Sequence, residues 1–337
     1  AVYCVIVGFA NFDTDNKTIF EYEDITGEPH ALRAKNINPY LVDSNNILLN
    51  KRSAPICDAP KINYGSFALD DGNYTLSEAD RDDIISECQN SDRLIKPFIG
   101  GQELLHSVKR YCLWLIDASP KEIKENPKIL ERVDAVRKWR SNSSRENTKK
   151  LADTPTMFAE IRQPNTNYLA IPTTSSENRK YIPIAFLSPN VIASNQLYIV
   201  PDTTLYHFGV LTSAMHMAWT KCVCGRLKSD FRYSAGIVYN NFPWVENPTP
   251  KQVERIEQCA EAVLEARKQF PNSSLADLYD PLAMPPALMK AHQALDKAVD
   301  AAYRSAPFTS DSQRMEFLFD LYNKYNATLF DSKKKKK

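Results

Sequence analysis

Residues 225–244 read GRLKSDFRYSAGIVYNNFPW, and the organisation of the chain turns on what this stretch is for. It sets Arg226, Lys228 and Arg232, with Lys221 just upstream, among Phe231, Tyr233, Tyr239, Phe242 and Trp244, and it adds the paired amides Asn240 and Asn241. Cations beside flat rings and amides suit a surface that grips a polyanion. The same aromatic residues would equally serve a protein-docking surface or a core. Upstream, residues 206–224 are almost continuously apolar and predict one buried helix with Gly225 as its C-cap, so the basic segment leaves the end of a rigid element. His207 and His216 lie in that run without a carboxylate or cysteine arrangement and read as packed histidines. Downstream, Thr249-Pro250 with Gln252 starts an amphipathic helix that places Val253, Ile256, Ala260, Val263 and Leu264 on one face. Helices at about 286–303 and 312–326 complete a helical C-terminal unit.

Before the stretch, residues 168–200 read as strands (YLAIP, YIPIAFL, LYIV) separated by polar loops. One loop holds Glu177, Asn178, Arg179 and Lys180, the other Asn195 and Gln196. Arg or Lys matches guanine, Asn or Gln adenine, and Glu cytosine by donor and acceptor geometry, although ordinary solvated loops have the same composition. Earlier still, Ser119-Pro120 with Glu122 caps one helix and Asn126-Pro127 restarts another. From Arg132 to Lys150 seven basic residues face two acidic ones, a run that fits either a solvated helix face or phosphate contact. Residues 36–101 are irregular, with a helix around 77–88 opened by Ser77 and Asp80, and 111–116 is a compact strand. The chain opens on VYCVIVGF, the pattern of a strand buried on both faces, and 18–22 offers an antiparallel partner. A hairpin over 1–24 needs a sheet or helix to cover it, so it is expected to be the tail end of something larger.

Lys and Arg number 42 and Asp and Glu 41, a net charge of +1, so any nucleic-acid surface must arise from local charge segregation. The 7 cysteines are scattered and odd in number, which reads as reduced thiols. Cys222-Val-Cys224 is too tight for a zinc knuckle and has no second pair, so no metal is expected. No run reaches membrane-span length and no secretory leader is present, which points to a cytoplasmic setting. Glycine-rich phosphate loops, metalloprotease patterns and nucleophile elbows are all missing. Asn38-Pro39-Tyr40 lacks the second proline of the aminomethyltransferase tetrapeptide and reads as a turn. No complete active site, and hence no catalytic residue and no cofactor, is assigned to this chain.

Several stretches together resemble the C-terminal part of MmeI-like restriction-modification enzymes: KNINPYLVD, PICDAPKINYG, KPFIGGQELL, RVDAVRKWR, YLAIPTTSSENRKYIPI, TLYHFGVLTSAMHMAW, CGRLKSDFRYSAGIVYNNFPW and SSLADLYDPLAMPPALMKAH. These enzymes join a nuclease, an adenine-N6 methyltransferase and a target recognition domain in one chain. The resemblance implies an α/β (α+β) chain. Its parts are a methyltransferase hairpin and connector (1–45), a mixed-sheet recognition domain (46–246), a helical segment (247–330) and a disordered tail (331–337). It implies double-stranded DNA as partner, together with the methyltransferase and nuclease domains of the same parent. S-adenosylmethionine and Mg would serve that parent, and this chain would be inactive alone. DNA-backbone contacts fall to Arg137, Lys138, Arg140, Lys149, Lys150, Arg226, Lys228 and Arg232. Base reading falls to Thr173, Ser175, Glu177, Asn178, Arg179, Lys180, Ser194, Asn195, Gln196 and Tyr198. A protein-interaction module docking on the catalytic domain is the alternative.

Overall fold

A central antiparallel sheet orders the strands Asn63–Tyr64, Leu197–Pro201, Tyr168–Pro172 and Ala185–Leu187. The structure, a computed structural model, describes residues 5–22 and 27–334, with side chains to Ala327. Tyr168–Pro172 is buried throughout and Leu197–Pro201 over its first four residues, because both faces of this sheet are covered. Leu169 and Ile171, with Tyr198 and Val200, enter the main core. Tyr168 and Ala170, with Leu197 and Ile199, enter a smaller one behind it. The period of two thus divides an unbroken apolar run between two cores.

A second four-stranded sheet, Ile192–Ala193, Ile95–Ile99, Tyr111–Leu113 and Thr75–Leu76, is covered by the helix Pro127–Ser141. Asn126 caps that helix through its Oδ1 and donates from Nδ2 to the Ile84 carbonyl at 2.9 Å, which fixes where the helix enters. A third sheet of three strands joins Gly225–Leu227, Asp230–Arg232 and Thr174–Ser175. Thr173 and residues 194–196 are therefore corners where the chain passes from one sheet to another.

The helical unit comprises Pro250–Lys268, Leu275–Leu278, Pro286–Tyr303 and Asp311–Lys334. Its first and third helices cross the helix Leu205–Leu211 at Gly209, where a Cβ would meet Ile256 Cγ2 at 2.7 Å and Leu295 Cδ1 at 3.2 Å. Only glycine lets the helices approach so closely there.

Four expectations need correction. The run 206–224 forms two helices, Leu205–Leu211 and Ala214–Val223, and Gly225 begins a strand. Thr212 and Ser213 turn their hydroxyls back to the Phe208 and Val210 carbonyls at 2.8 and 2.7 Å, which ends the first helix, and Ser213 caps the second. At the N-terminus, residues 1–4 lie outside the described set, and residues 5–10 form no strand and are exposed, Ile6 at 99%. Lys17–Glu21 pairs instead with His30–Ala34, a partner reached through a short connection at small entropic cost. The strand expected over 181–187 is confined to Ala185–Leu187. The last helix continues through 331–334, where a disordered tail was expected, and residues 335–337 lie outside the described set.

Candidate nucleic-acid interface

The hairpin Gly225–Leu227 and Asp230–Arg232 adds to the short strand Thr174–Ser175, with Arg232 opposite Thr174 and Phe231 opposite Ser175. Lys228 occupies the two-residue turn with φ 57°, a left-handed position usually given to glycine. Arg226 lies over the Phe231 ring at 4.2 Å and donates to the Ser229 carbonyl at 3.0 Å. Its charge is thereby held in one place at the surface. Thr173, at the sheet corner, donates from its amide and from Oγ1 to the Gln196 carbonyl at 3.3 and 2.9 Å. Strand pairing and this corner bring the loops 173–180 and 194–196 beside the basic hairpin.

Within these loops Asn178, Lys180, Asn195 and Gln196 are exposed and Thr173, Glu177 and Arg179 half-buried. Burial pulls the Arg179 guanidinium below its usual range, while Asp230 and Asp280 pull the other way. No ion pair or side-chain hydrogen bond engages it among the described residues. It remains a partly desolvated cation with donors to offer. Three expected base readers are withdrawn from any groove. Ser175 and Ser194 are buried, and Ser194 Oγ accepts from the Gln196 amide at 3.4 Å. Tyr198 is buried against Tyr64, with ring centroids 4.4 Å apart and hydroxyls at 2.7 Å. Tyr64, which the sequence reading passed over, is the exposed member of that pair.

Gly100 was passed over as well. A Cβ there would meet Gln196 Oε1 at 2.6 Å and Arg110 Nη2 at 2.9 Å, so glycine leaves the room in which the Gln196 side chain sits. Glu103 anchors the spot, accepting from the Gly100 amide at 2.7 Å and pairing with Arg110 at 2.8 Å. The Gly100-Gly101 dipeptide was the available signal, since adjacent glycines mark close backbone approach.

The basic run splits into two populations. Arg140 is not a surface cation: it is fully buried, and all five of its donors are taken by backbone carbonyls. Nε donates to Leu69, Nη1 to Leu151 and Thr154, and Nη2 to Ala68 and Met157, at 2.8–3.2 Å. It staples two loops to the end of its helix. Arg137 and Lys149 are exposed but paired with Asp134 and Glu146 at 3.2 and 3.0 Å. Lys138 and Lys150 are exposed, without such partners among the described residues. Arg137, Lys138 and Arg140 lie on the helix that covers the second sheet, and Lys149 and Lys150 on the short helix Glu146–Lys150 that follows it.

The rings of residues 231–244 form no stacking platform. Phe231, Tyr233, Phe242 and Trp244 are all buried in the main core. His216 is buried with them and shares a 2.9 Å hydrogen bond with the Tyr233 hydroxyl. Burial drives its imidazole down to about 3, so it is neutral. Asn241 Nδ2 donates to the Asn50, Gly236 and Ile237 carbonyls at 2.9–3.1 Å, and its Oδ1 accepts from Arg52 Nε at 2.9 Å. The Pro243 and Trp244 carbonyls accept from Tyr303 and Tyr325 of the helical unit at 3.0 and 2.8 Å. This segment is a clasp between two parts of the fold.

The model of the MmeI target recognition domain matches residues 43–246, and that of the MmeI C-terminal domain matches residues 248–330. The chain belongs to the MmeI family. Its MmeI-type recognition segment ends just beyond the clasp, and the C-terminal segment begins where the helical unit does. DNA methyltransferase A of Bacillus subtilis (strain 168) is 41% identical over 324 residues, which are 96% of this chain and 36% of that protein. A solved structure of the Type IIL restriction-modification enzyme MmeI in complex with DNA is 46% identical with a TM-score of 0.85. It covers 94% of this chain, which spans 42% of the MmeI chain. The chain thus spans well under half the length of these relatives.

Among the described residues no three His, Cys, Asp or Glu side chains converge to hold a metal ion. Cys57, Cys88, Cys112, Cys222, Cys224 and Cys259 are free thiols, and burial pushes Cys222 up to about 12. Among the described residues no helix is long and apolar enough to cross a membrane.

Proposed function

We propose that this chain reads the sequence of duplex DNA for an adenine-N6 methyltransferase of the restriction-modification type. One observation carries the reading. The half-buried Arg179, which has no ion pair or side-chain hydrogen bond among the described residues, stands in a loop that strand pairing sets beside Arg226, Lys228 and Arg232. Backbone charges at the hairpin tip would set register, while Arg179, Asn178 and Gln196 would address base edges in the major groove. Lys138 and Lys150 would add phosphate contacts of their own. The MmeI–DNA neighbour and the methyltransferase relative support this assignment. The partners in this proposal are double-stranded DNA and the methyltransferase and nuclease domains of a parent chain, in a cytoplasmic setting. S-adenosylmethionine and Mg would act in those domains. The methyltransferase would take one adenine out of the stack while this chain holds the site.

Selection from a randomised duplex pool tests the proposal. Wild type should enrich one sequence. Arg179→Ala should lose preference at a single position, with a discrimination loss of about 1–3 kcal/mol. Lys228→Ala should weaken all duplexes alike and flatten the log-log salt dependence by about 0.9. Enrichment of the same sequence by wild type and Arg179→Ala would remove the base-reading role. The alternative of an aromatic docking surface at 231–244 loses its basis, because those rings are core.

A further inference from the structure

A cleft of about 650 Å³ runs between the helices Pro250–Lys268 and Pro286–Tyr303, remote in sequence from the loops just described. Lys251 and Arg255 line it from the first helix and Lys290 and Lys297 from the second, over a floor that includes Ala294 and Ala298. Helical spacing places each set on one face, and among the described residues no acidic side chain lines the cleft. None of the four cations has an ion-pair partner among the described residues. The nearest acids along the second helix are committed elsewhere. Asp296 accepts from the Tyr181 hydroxyl and the Ala214 amide at 2.6 and 2.7 Å, and Asp300 pairs with Arg314 at 2.7 Å. Four like charges are thus gathered on one cleft in a chain of net charge +1, and only Lys297 also borders the neighbouring hollow that holds Asp296 and Asp300.

The helix that carries Lys290 and Lys297 also touches the candidate interface. Lys180, in the loop 177–180, reaches Met289 Sδ at 3.9 Å, and Met289 immediately precedes Lys290. The lining is mainly cations and small side chains, with two amides, Gln293 and Gln252, the latter engaged through its Oε1 by the Thr249 amide at 2.8 Å. Such a surface neutralises phosphates without reading bases.

We infer that this cleft holds the sugar-phosphate backbone of duplex DNA, giving the helical unit a sequence-independent contact of its own. The inference rests on the duplex-reading function proposed above.

The test compares wild type with the quadruple variant Lys251→Gln, Arg255→Gln, Lys290→Gln and Lys297→Gln, all exposed positions. The expected result is at least a tenfold loss of duplex affinity at low salt, with a log-log salt slope shallower by roughly three to four at about 0.9 per contact. The sequence enriched from a randomised pool should not change. In wild type, bound duplex should also shield Lys251, Lys290 and Lys297 from an amine-acetylating reagent, a readout that needs no variant. Unchanged affinity and slope in the variant, or equal acetylation with and without duplex, overturns the inference while leaving the recognition loops in place. Loss of inorganic phosphate binding with duplex binding intact also overturns it, in favour of a small-anion site. Failure of wild type to bind any duplex overturns this inference and the function beneath it together.

Discussion

Residues 225–232 and 233–244 adjoin in the chain and share a vocabulary of rings, amides and charges, but their surroundings are opposite. The first segment is held by strand pairing to Thr174–Ser175 and by Arg226 over Phe231, with Arg226, Lys228 and Arg232 in solvent. The second is held by side-chain bonds to distant backbone, from Asn241 to Asn50 and from Tyr239 to the Pro60 carbonyl. A segment fixed through its backbone keeps its side chains available for a partner. One fixed through its side chains has none to offer.

The contrast breaks if the two segments respond alike to substitution. The largest effect is expected at Asn241. Alanine at this fully buried site removes the amide that donates to the Asn50, Gly236 and Ile237 carbonyls and accepts from Arg52 Nε, and it leaves a cavity, so urea denaturation should show a loss on the order of 3 kcal/mol, against less than about 0.5 for Arg226→Ala. Equal losses would erase the distinction.

Acid should act next, in part through the histidine packed against the clasp. His216 stays neutral in the fold down to about 3, whereas in the unfolded chain it takes up a proton below about 6.5. The unfolded state therefore binds more protons between these values, and stability falls as pH drops through that window, by up to about 1.4 kcal/mol per pH unit. Burial lowers His292 in the same sense, so the diagnostic measurement is a difference between proteins. Denaturation curves from pH 7 to 4.5 should be shallower in pH dependence for His216→Gln than for wild type. Parallel curves would show that His216 does not contribute.

The smallest effect is expected at the hairpin tip, with opposite signs in two assays. Lys228→Gly relieves a left-handed residue and should stabilise the fold by about 0.5–1 kcal/mol, while weakening every duplex through the lost charge. Loss of both stability and binding would mean that Lys228 packs rather than projects.

Local chemistry was legible in the sequence. Ser77, Ser119 and Thr249 each open a helix with the reciprocal cap that their third following residue implies. Non-local chemistry was not. Arg140 read as one cation in a basic run, but its fate was set by carbonyls at residues 68–69 and 151–157, which only the folded chain assembles. One trace was present, since Arg140 continues the buried stripe Ile129, Val133 and Val136. A cation on an apolar stripe is a candidate for burial with full hydrogen bonding. Of the expected base readers, the polar residues at loop tips stay accessible. Ser175, Ser194 and Tyr198 sit where strands begin or sheets change, and accessibility there depends on a packing that composition does not encode.

The corners at Thr173 and residues 194–196 have a consequence for how such a chain diverges. The Gln196 carbonyl accepts from Thr173, the Ser194 amide donates to the Ile99 carbonyl at 2.8 Å, and the Arg179 amide donates to the Ser176 carbonyl at 3.2 Å. None of these bonds uses the side chain of Asn178, Arg179, Asn195 or Gln196. Replacing any of those four residues leaves the bonds that shape the loops intact, so mutation can explore new contact chemistry there while selection for foldability stays nearly silent.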